Sequence, residues 1–527
     1  MSTHNSHPVH PHQHIIKSAG IIGLATFCSR VLGFIRDIVI ARLCGVYLYS
    51  QAFVIAFRIP NLFRDLLGEG AANAAIVPVF SEYNLKHTKE EFWKLANVVL
   101  NLLLVTLTAV TLLGIVFAPL VVRLIAPGFI ADPQKLAATI LLTRIIFPYV
   151  ILICLAAYAT AILNTLKTFS LPAFAPCLLN IAIIVCALIF GEGIKGLALG
   201  VLAGGLLQLV IQVPFIFKKG YVFQGFLKRF QHPAATAIQK LMLPRIFSSA
   251  IYQLNNFVDS AFGSLVMIVG EGGVAALYFA YRLIQFPIGI FSSAICQAIL
   301  PTFSQQAMAE TRHEIKHSLS WALRLNFLVM LPASLGLMFL SRPLVQLLFG
   351  GGKFDAYSIK MTADVLFFYS IGLFAYGAAK ILQSCFFALK DTISPAKVSF
   401  LALIMNIVLN TILIFPLKIS GIALATSLSG IITFVILFII LRKKIGGFGA
   451  KEIISSFSRM LLASLGMAII CRLVWQQQIF PAGGISGKAL NLGLILVCGL
   501  VSYVALCFLL RVSELRDAVN LLRRKGR

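Results

Sequence analysis

The chain has 527 residues, of which 59 % are hydrophobic and only 12 % charged, and its mean hydropathy is +0.94. A soluble domain carries about 25 % charged residues, so this composition excludes a soluble globular protein and makes lipid the main solvent. The net charge of +26, from 44 basic and 18 acidic residues, would suggest a nucleic-acid partner in a soluble protein. Here the basic residues fall mostly in the links between apolar runs, which is the positive-inside pattern and argues against nucleic acid.

Residues 1–15 carry His4, His7, His10, His12 and His14, and read as a disordered tail rather than a metal-binding one. The first apolar run is long and holds two arginines, so it reads as a retained span and not a cleavable signal peptide. Apolar runs lie at 16–44, 51–81, 95–125, 137–163, 170–190, 196–217, 241–270, 274–303, 318–341, 358–388, 396–416, 420–441, 455–475 and 489–511. Each is near or above the ~20 residues of a membrane-crossing helix, which predicts an all-α polytopic protein with about fourteen spans. Basic residues cluster in alternate links, at Lys86, Lys89 and Lys94, at Lys218, Lys219, Lys228 and Arg229, at Arg442, Lys443 and Lys444, and at Arg523, Arg524, Lys525 and Arg527. The opposite links hold few, such as Lys195, Lys353 and Lys418, so both termini are expected in the cytoplasm.

Four arginines lie inside these spans: Arg30 and Arg36 in the first, Arg64 in the second and Arg282 in the eighth. A charge at bilayer depth costs ~2.5–3.5 kcal/mol even on lenient insertion scales, so several of them are expected to line one wet cavity that takes an anion. The alternative is that they pair with neighbouring acids, Asp37, Asp65 or Glu69, and only hold helices together. Arg42, Arg58, Arg144 and Arg245 read as helix-end or packing charges. Ten cysteines, among them Cys28, Cys154, Cys177, Cys186, Cys296, Cys385 and Cys507, fall in the apolar spans without a CxxC pair and read as small buried hydrophobes.

An internal repeat runs through the chain at a nearly constant offset. Asp37 matches Asp259, Arg58 in AFRIPNL matches Arg282 in AYRLIQF, Pro78 matches Pro301, and Lys167 and Pro172 in LKTFSLP match Lys390 and Pro395 in LKDTISP. An offset spanning six helices gives two halves of like orientation. The expected organisation is therefore a tail (1–15), an N-terminal lobe (16–220), a C-terminal lobe (221–445) and a final helix pair with a basic tail (446–527). Helix breakers inside the spans, Pro60, Gly68 and Gly70 in the second and Pro287 and Gly289 in its partner, suit the walls of a transporter cavity that opens alternately to each side.

The runs SRVLGFIRDIVIARLCG (Ser29–Gly45) and QAFVIAFRIPNLFRDLLGEGAANAAIVPVFSEY (Gln51–Tyr83), with YFAYRLIQFPIGIFSSAICQAILPTFS and ILNTLKTFSLPAFAPCLLNIA elsewhere in the chain, resemble the MurJ (MviN) lipid II flippase family. The likeness covers nearly the whole chain, including the final helix pair. It implies a member of the multidrug/oligosaccharidyl-lipid/polysaccharide exporter superfamily, not an enzyme, in the bacterial inner membrane, where it moves lipid II to the outer leaflet for cell-wall synthesis. It also implies that Arg30, Arg36, Arg64 and Arg282 bind the pyrophosphate headgroup, for which guanidinium forks are suited. Ser29, Asp37, Glu69, Gln51 and Gln285 then stand as gating or charge partners. The chain departs from the family's usual pattern at Gln51, where many relatives have Asp, at Asp65, where they have a second basic residue, and at Gln285, where some have Glu.

No cofactor is expected except Na⁺ as a coupling ion. Asp259, Asn406 and Asn410 at i, i+4, and Thr426 are hard-oxygen groups suited to that ion if they converge, the other reading being interhelical hydrogen bonds. The resemblance places sodium sites in this lobe, with Asp more usual at Asn410, and implies that the final helix pair, with Ala463, Ser464, Gly466, Gly493 and Gly499, forms a groove for the polyprenyl tail. Expected partners are lipid II, membrane lipids and peptidoglycan synthesis proteins, with a monomer as the default. Three other readings compete. Flipping of a different polyprenyl-pyrophosphate-linked glycan fits the same arginines. A drug/cation antiporter would need acidic cavity walls. A membrane enzyme on polyprenyl pyrophosphates would need a base in the membrane, whereas His87, His232, His313 and His317 lie in the links.

Overall fold

The computed structural model describes residues 11–64, 73–223, 225, 232–309, 312–477 and 485–516, and the side chains of 11–19, 73–75, 239, 241–252, 312, 485 and 486 are left aside. Asp65, Gly68, Glu69, Gly70 and His4, His7 and His10 of the tail thus lie outside the described residues, and the metal-binding alternative for the tail lies there with them. Two compact units divide the chain, Met1–Gln253 and Leu254–Arg527, so the division falls inside a helix rather than at 220/221.

The first unit holds Pro11–Cys44 (α1), Leu48–Phe63 (α2), Asn73–Lys86 (α3), Lys89–Val116 (α4), Ala118–Ile125 (α5), Pro133–Ile146 (α6), Tyr149–Thr165 (α7), Ser170–Phe190 (α8), Ile194–Val210 (α9), Val213–Lys218 (α10) and most of Pro233–Gly263 (α11). The second holds the rest of α11 with Val266–Val269 (α12), Gly273–Pro287 (α13), Ser293–Met308 (α14), Arg312–Phe339 (α15), Ser341–Leu348 (α16), Ala356–Ile371 (α17), Leu373–Ala388 (α18), Ile393–Leu417 (α19), Ile419–Ile445 (α20), Ala450–Gln477 (α21) and Ile485–Leu509 (α22). Among the described residues ten helices are long and apolar enough to cross a membrane, eleven if the bent pair α17–α18 is one span. Helix also covers the first predicted run, most of the seventh and most of the described part of the second, so the described residues support ten or eleven of the fourteen predicted crossings by length and apolarity. No strand occurs among the described residues.

The repeat is visible in the backbone. Lys167 and Lys390 both take the left-handed region at φ 58°. Each closes a helix with the same pair of bonds, Thr168 N to Leu163 O and Lys167 N to Asn164 O in one half, Asp391 N to Phe386 O and Lys390 N to Phe387 O in the other. This is the Schellman closure of a helix end. The breaks match as well. One span is interrupted between α6 and α7 at Phe147–Pro148, and the equivalent span between α17 and α18 at Gly372, where it bends by 45°.

Small residues at every fourth position let neighbouring helices approach closely, the small-xxx-small rule of membrane interfaces. A Cβ at Gly200 of α9 would sit 2.7 Å from Ile183 Cα of α8, and one at Gly204 2.8 Å from Leu179 Cα. Gly421, Ala425 and Ser429 make the corresponding column on α20, with the Ser429 hydroxyl donating to Ala402 O of α19 at 2.8 Å.

The last helix pair belongs to the second unit. Met460, Ala463 and Met467 of α21 and Cys507 of α22 share an apolar core with Leu323, Phe327 and Leu331 of α15. Beyond the membrane end of α22, Arg324 Nη1 donates to Glu514 Oε1 at 2.7 Å, and the Ser456 hydroxyl donates to the same oxygen at 2.7 Å. Burial pushes the Glu514 carboxyl up, but the Ser456 hydroxyl, its own backbone and Arg324 outweigh that and hold it below its usual value. The ten cysteines are all free.

Candidate functional site

In the first unit, α1 carries Arg30 and Arg36 six residues apart, ~9 Å along the axis, on faces that differ in exposure. Arg30 is exposed and Ser29 half-buried, whereas Arg36 is only 5 % exposed. The Arg36 guanidinium is held on three sides. Nε and Nη2 both donate to Asp37 Oδ1, at 3.0 and 2.7 Å, Nη1 donates to Asn180 Oδ1 of α8 at 3.1 Å, and the Phe57 ring lies 5.9 Å away. Asn180 is itself fixed, its amide donating to Ser29 O at 3.2 Å and Pro176 O at 3.3 Å. Of the two readings of Arg36, the structure realises the ion pair with Asp37, 1 % exposed, in this conformation. Arg64, half-buried, caps the C-terminus of α2. Gln51 of α2 is fully buried.

In the second unit, Arg282 of α13 is half-buried, with Nη2 donating to the Tyr278 hydroxyl at 2.9 Å and its guanidinium 4.9 Å from that ring, one turn earlier. Gln285 is exposed on the same helix. Pro287 then ends α13, and a single π-helical turn, Ile288–Ser292, leads into α14. A turn of this kind re-aims the helix beyond it. Ser293, the next residue, meets a cation that was not among the sequence candidates: Lys380 of α18, exposed, with Nζ 3.5 Å from the Ser293 hydroxyl. Lys380 lies ~12 Å inside the end of α18. The rule that singled out the arginines, a charge deep within an apolar run, would have found it in 358–388. Arg144, read as a helix-end charge, donates Nε to Ile115 O at 3.3 Å.

The four residues proposed for a cation do converge. Asn410 Nδ2 donates to Asp259 Oδ1 at 3.3 Å and to Asn406 Oδ1 at 3.0 Å, Asn406 Nδ2 to Thr426 Oγ1 at 3.2 Å, and Thr426 Oγ1 lies 3.0 Å from Asp259 Oδ2. The Asn406 and Asn410 side chains are fully buried, and Asn410 Oδ1 has no hydrogen-bond partner among the described residues. Three helices, α11, α19 and α20, thus bring one carboxylate, two amides and a hydroxyl together in a set of interhelical hydrogen bonds. Among the described residues no group of three or more His, Cys, Asp or Glu side chains forms a transition-metal site.

Residues 40–492 match the family model described as lipid II flippase MurJ. The chain belongs to the MurJ family. It is 32 % identical to the probable lipid II flippase MurJ of Vibrio cholerae over 525 residues, 96 % of this chain and 98 % of that protein. It is 33 % identical to the lipid II flippase MurJ of Burkholderia cenocepacia, over 92 % of this chain and 94 % of the relative. Among solved structures, a lipid II flippase MurJ in an inward closed conformation superposes with a TM-score of 0.78 at 26 % identity, covering 94 % of this chain and 99 % of that one. An inward-facing multidrug resistance MATE transporter of the MOP superfamily shares the fold, with a TM-score of 0.67 at 16 % identity over 79 % of this chain and 94 % of its own.

Proposed function

We propose that this chain flips lipid II, the lipid-linked peptidoglycan precursor, from the cytoplasmic to the outer leaflet of a bacterial inner membrane by alternating access, and is not an enzyme. The match of residues 40–492 to the flippase family carries the reading, and the basic side chains inside apolar helices supply its chemistry. Arg30, Arg64, Arg282 and Lys380 bind the anionic headgroup, the guanidiniums gripping phosphate oxygens in pairs and the lysine acting as a point charge. A basic side chain at bilayer depth is costly when no anion faces it, so a pyrophosphate lowers that cost and biases the conformational equilibrium. Arg36 is the reserve: it reaches substrate only when Asp37 releases it, and otherwise fixes α1 against α8. Both termini are cytoplasmic in this reading, since the basic links and the tail then lie inside. A drug/cation antiporter would need acidic walls, and no observation favours it.

Sodium fits the Asp259 cluster as a coupling ion. The donors are hard oxygens, and the buried, unpartnered Asn410 Oδ1 is one that a cation would use. When bound, the ion would supply positive charge beside the Asp259 carboxylate. Asp259 provides the single negative charge, while Asn406, Asn410 and Thr426 provide dipoles.

The test is complementation. A host depleted of its own lipid II flippase receives this chain or its Arg30→Ala, Arg282→Ala or Lys380→Ala form, and lipid II exposed at the outer face is assayed. Exposure restored by the parent chain and lost in the variants is expected. A well-expressed parent chain that leaves lipid II inside would sink the assignment in favour of another polyprenyl-pyrophosphate-linked glycan.

A further inference from the structure

The break between α17 and α18 frees a backbone carbonyl that an unbroken helix would have used. Gly372 N bonds to Ser370 O and not to Phe368 O. The vacancy in the ladder is filled from α20: the Ser427 hydroxyl donates to Phe368 O at 2.7 Å, with Tyr369 O also in reach at 3.1 Å. Ser334 of α15 donates likewise to Ser370 O. The fit is close enough to demand glycine, because a Cβ at Gly372 would meet Ser427 Cα at 2.8 Å and its Cβ at 3.0 Å. On the far side of the break, Tyr376 of α18 rests on Gly430, where a Cβ would come within 2.3 Å of the ring. One face of α20 therefore grips both arms of the bent span. The residue before Ser427 is Thr426, whose hydroxyl lies 3.0 Å from Asp259 Oδ2.

We propose that Ser427 is a positioning residue that couples the Asp259 cluster to the break at Gly372, and so sets the angle at which α18 carries Lys380. Thr426 and Ser427 are consecutive on a helix and cannot shift independently. A rearrangement of donors at Asp259 moves Thr426, and with it the hydroxyl that seals Phe368 O. Broken helices in membranes persist only where a neighbour satisfies the freed backbone, so weakening that seal changes the bend. The break is thus the bistable element that both sites bias, which is the physical requirement for coupling between them. The inference deepens the reading of Asp259 as an ion site and gives that site an output.

Hydrogen–deuterium exchange of the purified full chain over residues 366–376 tests it. Asp259→Ala and Thr426→Val should each raise exchange there about fivefold, the factor one ordinary hydrogen bond confers. Ser427→Ala should raise it by itself and make Asp259→Ala silent, and Ser427→Thr should restore the response. If Ser427→Ala loosens the segment while Asp259→Ala leaves it unchanged in the parent chain, Ser427 is only a local seal and the coupling is wrong. Should Ser427→Ala not fold, Asp259→Ala, Thr426→Val and Ser427→Thr decide the matter alone. Sodium chloride compared with choline chloride separates the two readings: exchange indifferent to sodium but responsive to Asp259→Ala would retire the ion and keep the coupling.

Discussion

The two halves of the chain place an aspartate at the same point of their first helix and surround it differently. Asp37 is met by a guanidinium from the adjacent residue, and that guanidinium is braced by Asn180. At the place of Arg36 the second half has Val258, and Asp259 is met instead by the amide of Asn410 and the hydroxyl of Thr426. Duplication kept the scaffold, down to the left-handed lysines and the broken spans, while the side chains named around the aspartate diverged. One half carries its cation covalently. The other meets its aspartate with an amide and a hydroxyl from two further helices.

The most direct way to break this comparison is to neutralise each acid. Asp37→Asn removes the carboxylate that Arg36 grips inside the protein and should cost about 3–5 kcal/mol, whereas Asp259→Asn keeps an oxygen toward the Asn410 amide and the Thr426 hydroxyl and should cost less. Thermal unfolding of the purified variants reads both, and equal losses would end the asymmetry. A second contrast lies in the small-residue columns. Gly204→Ala and Gly421→Ala should each lose about 1–3 kcal/mol by overpacking, seen as lower melting temperatures, with Ala tolerated only if the facing helix can retreat.

Transport sharpens the comparison further. Lys380→Ala should reduce lipid II exposure about tenfold, the worth of one charge-assisted hydrogen bond, with Lys380→Arg retaining most of it. An unchanged rate in Lys380→Ala would confine the work to the arginines. The smallest effect concerns a staple found only in the second half. Lys444 Nζ donates to Asp391 Oδ2 at 2.6 Å, and that bond, with the Ser394 amide, holds the Asp391 carboxyl down at about 2. Where the first half has Thr168 and Tyr221, no such pair is available. A depressed carboxyl stabilises the folded chain above its unfolded pKa and loses that contribution as pH falls toward 2. Because Lys444 is partly exposed, Asp391→Asn should cost at most about 1 kcal/mol near neutral pH and nothing at the acid end, measured as melting temperature against pH.

The helical class and the repeat are legible in the sequence because each has a linear signature, apolar run length and constant offset, whereas an i, i+4 spacing joins only Asn406 and Asn410 of the Asp259 cluster. Arg36 was legible as a buried charge but not in its partnership, since the choice between a substrate and Asp37 depends on where Asn180 falls, 144 residues away. The full burial of Gln51 has no linear signature either, since a lone glutamine in an apolar run reads the same whether it faces a cavity or a neighbouring helix. Ser427 was invisible. A serine within an apolar span has no distinguishing pattern until the carbonyl it seals is seen to be free. The unit boundary likewise moved from the basic link at 220 to Gln253, because composition marks where a chain leaves the membrane and not where one packed body ends.

Lys167 and Lys390 carry one more consequence. A left-handed lysine costs about 1 kcal/mol or more that glycine would spare, yet both halves keep it at the same helix end. A positive charge there also suits the helix terminus and, in the proposed topology, the cytoplasmic surface. During insertion the same residue would therefore stop a helix and hold its end on the correct side, so that a glycine substituted for stability would remove part of the address by which the nascent chain is threaded.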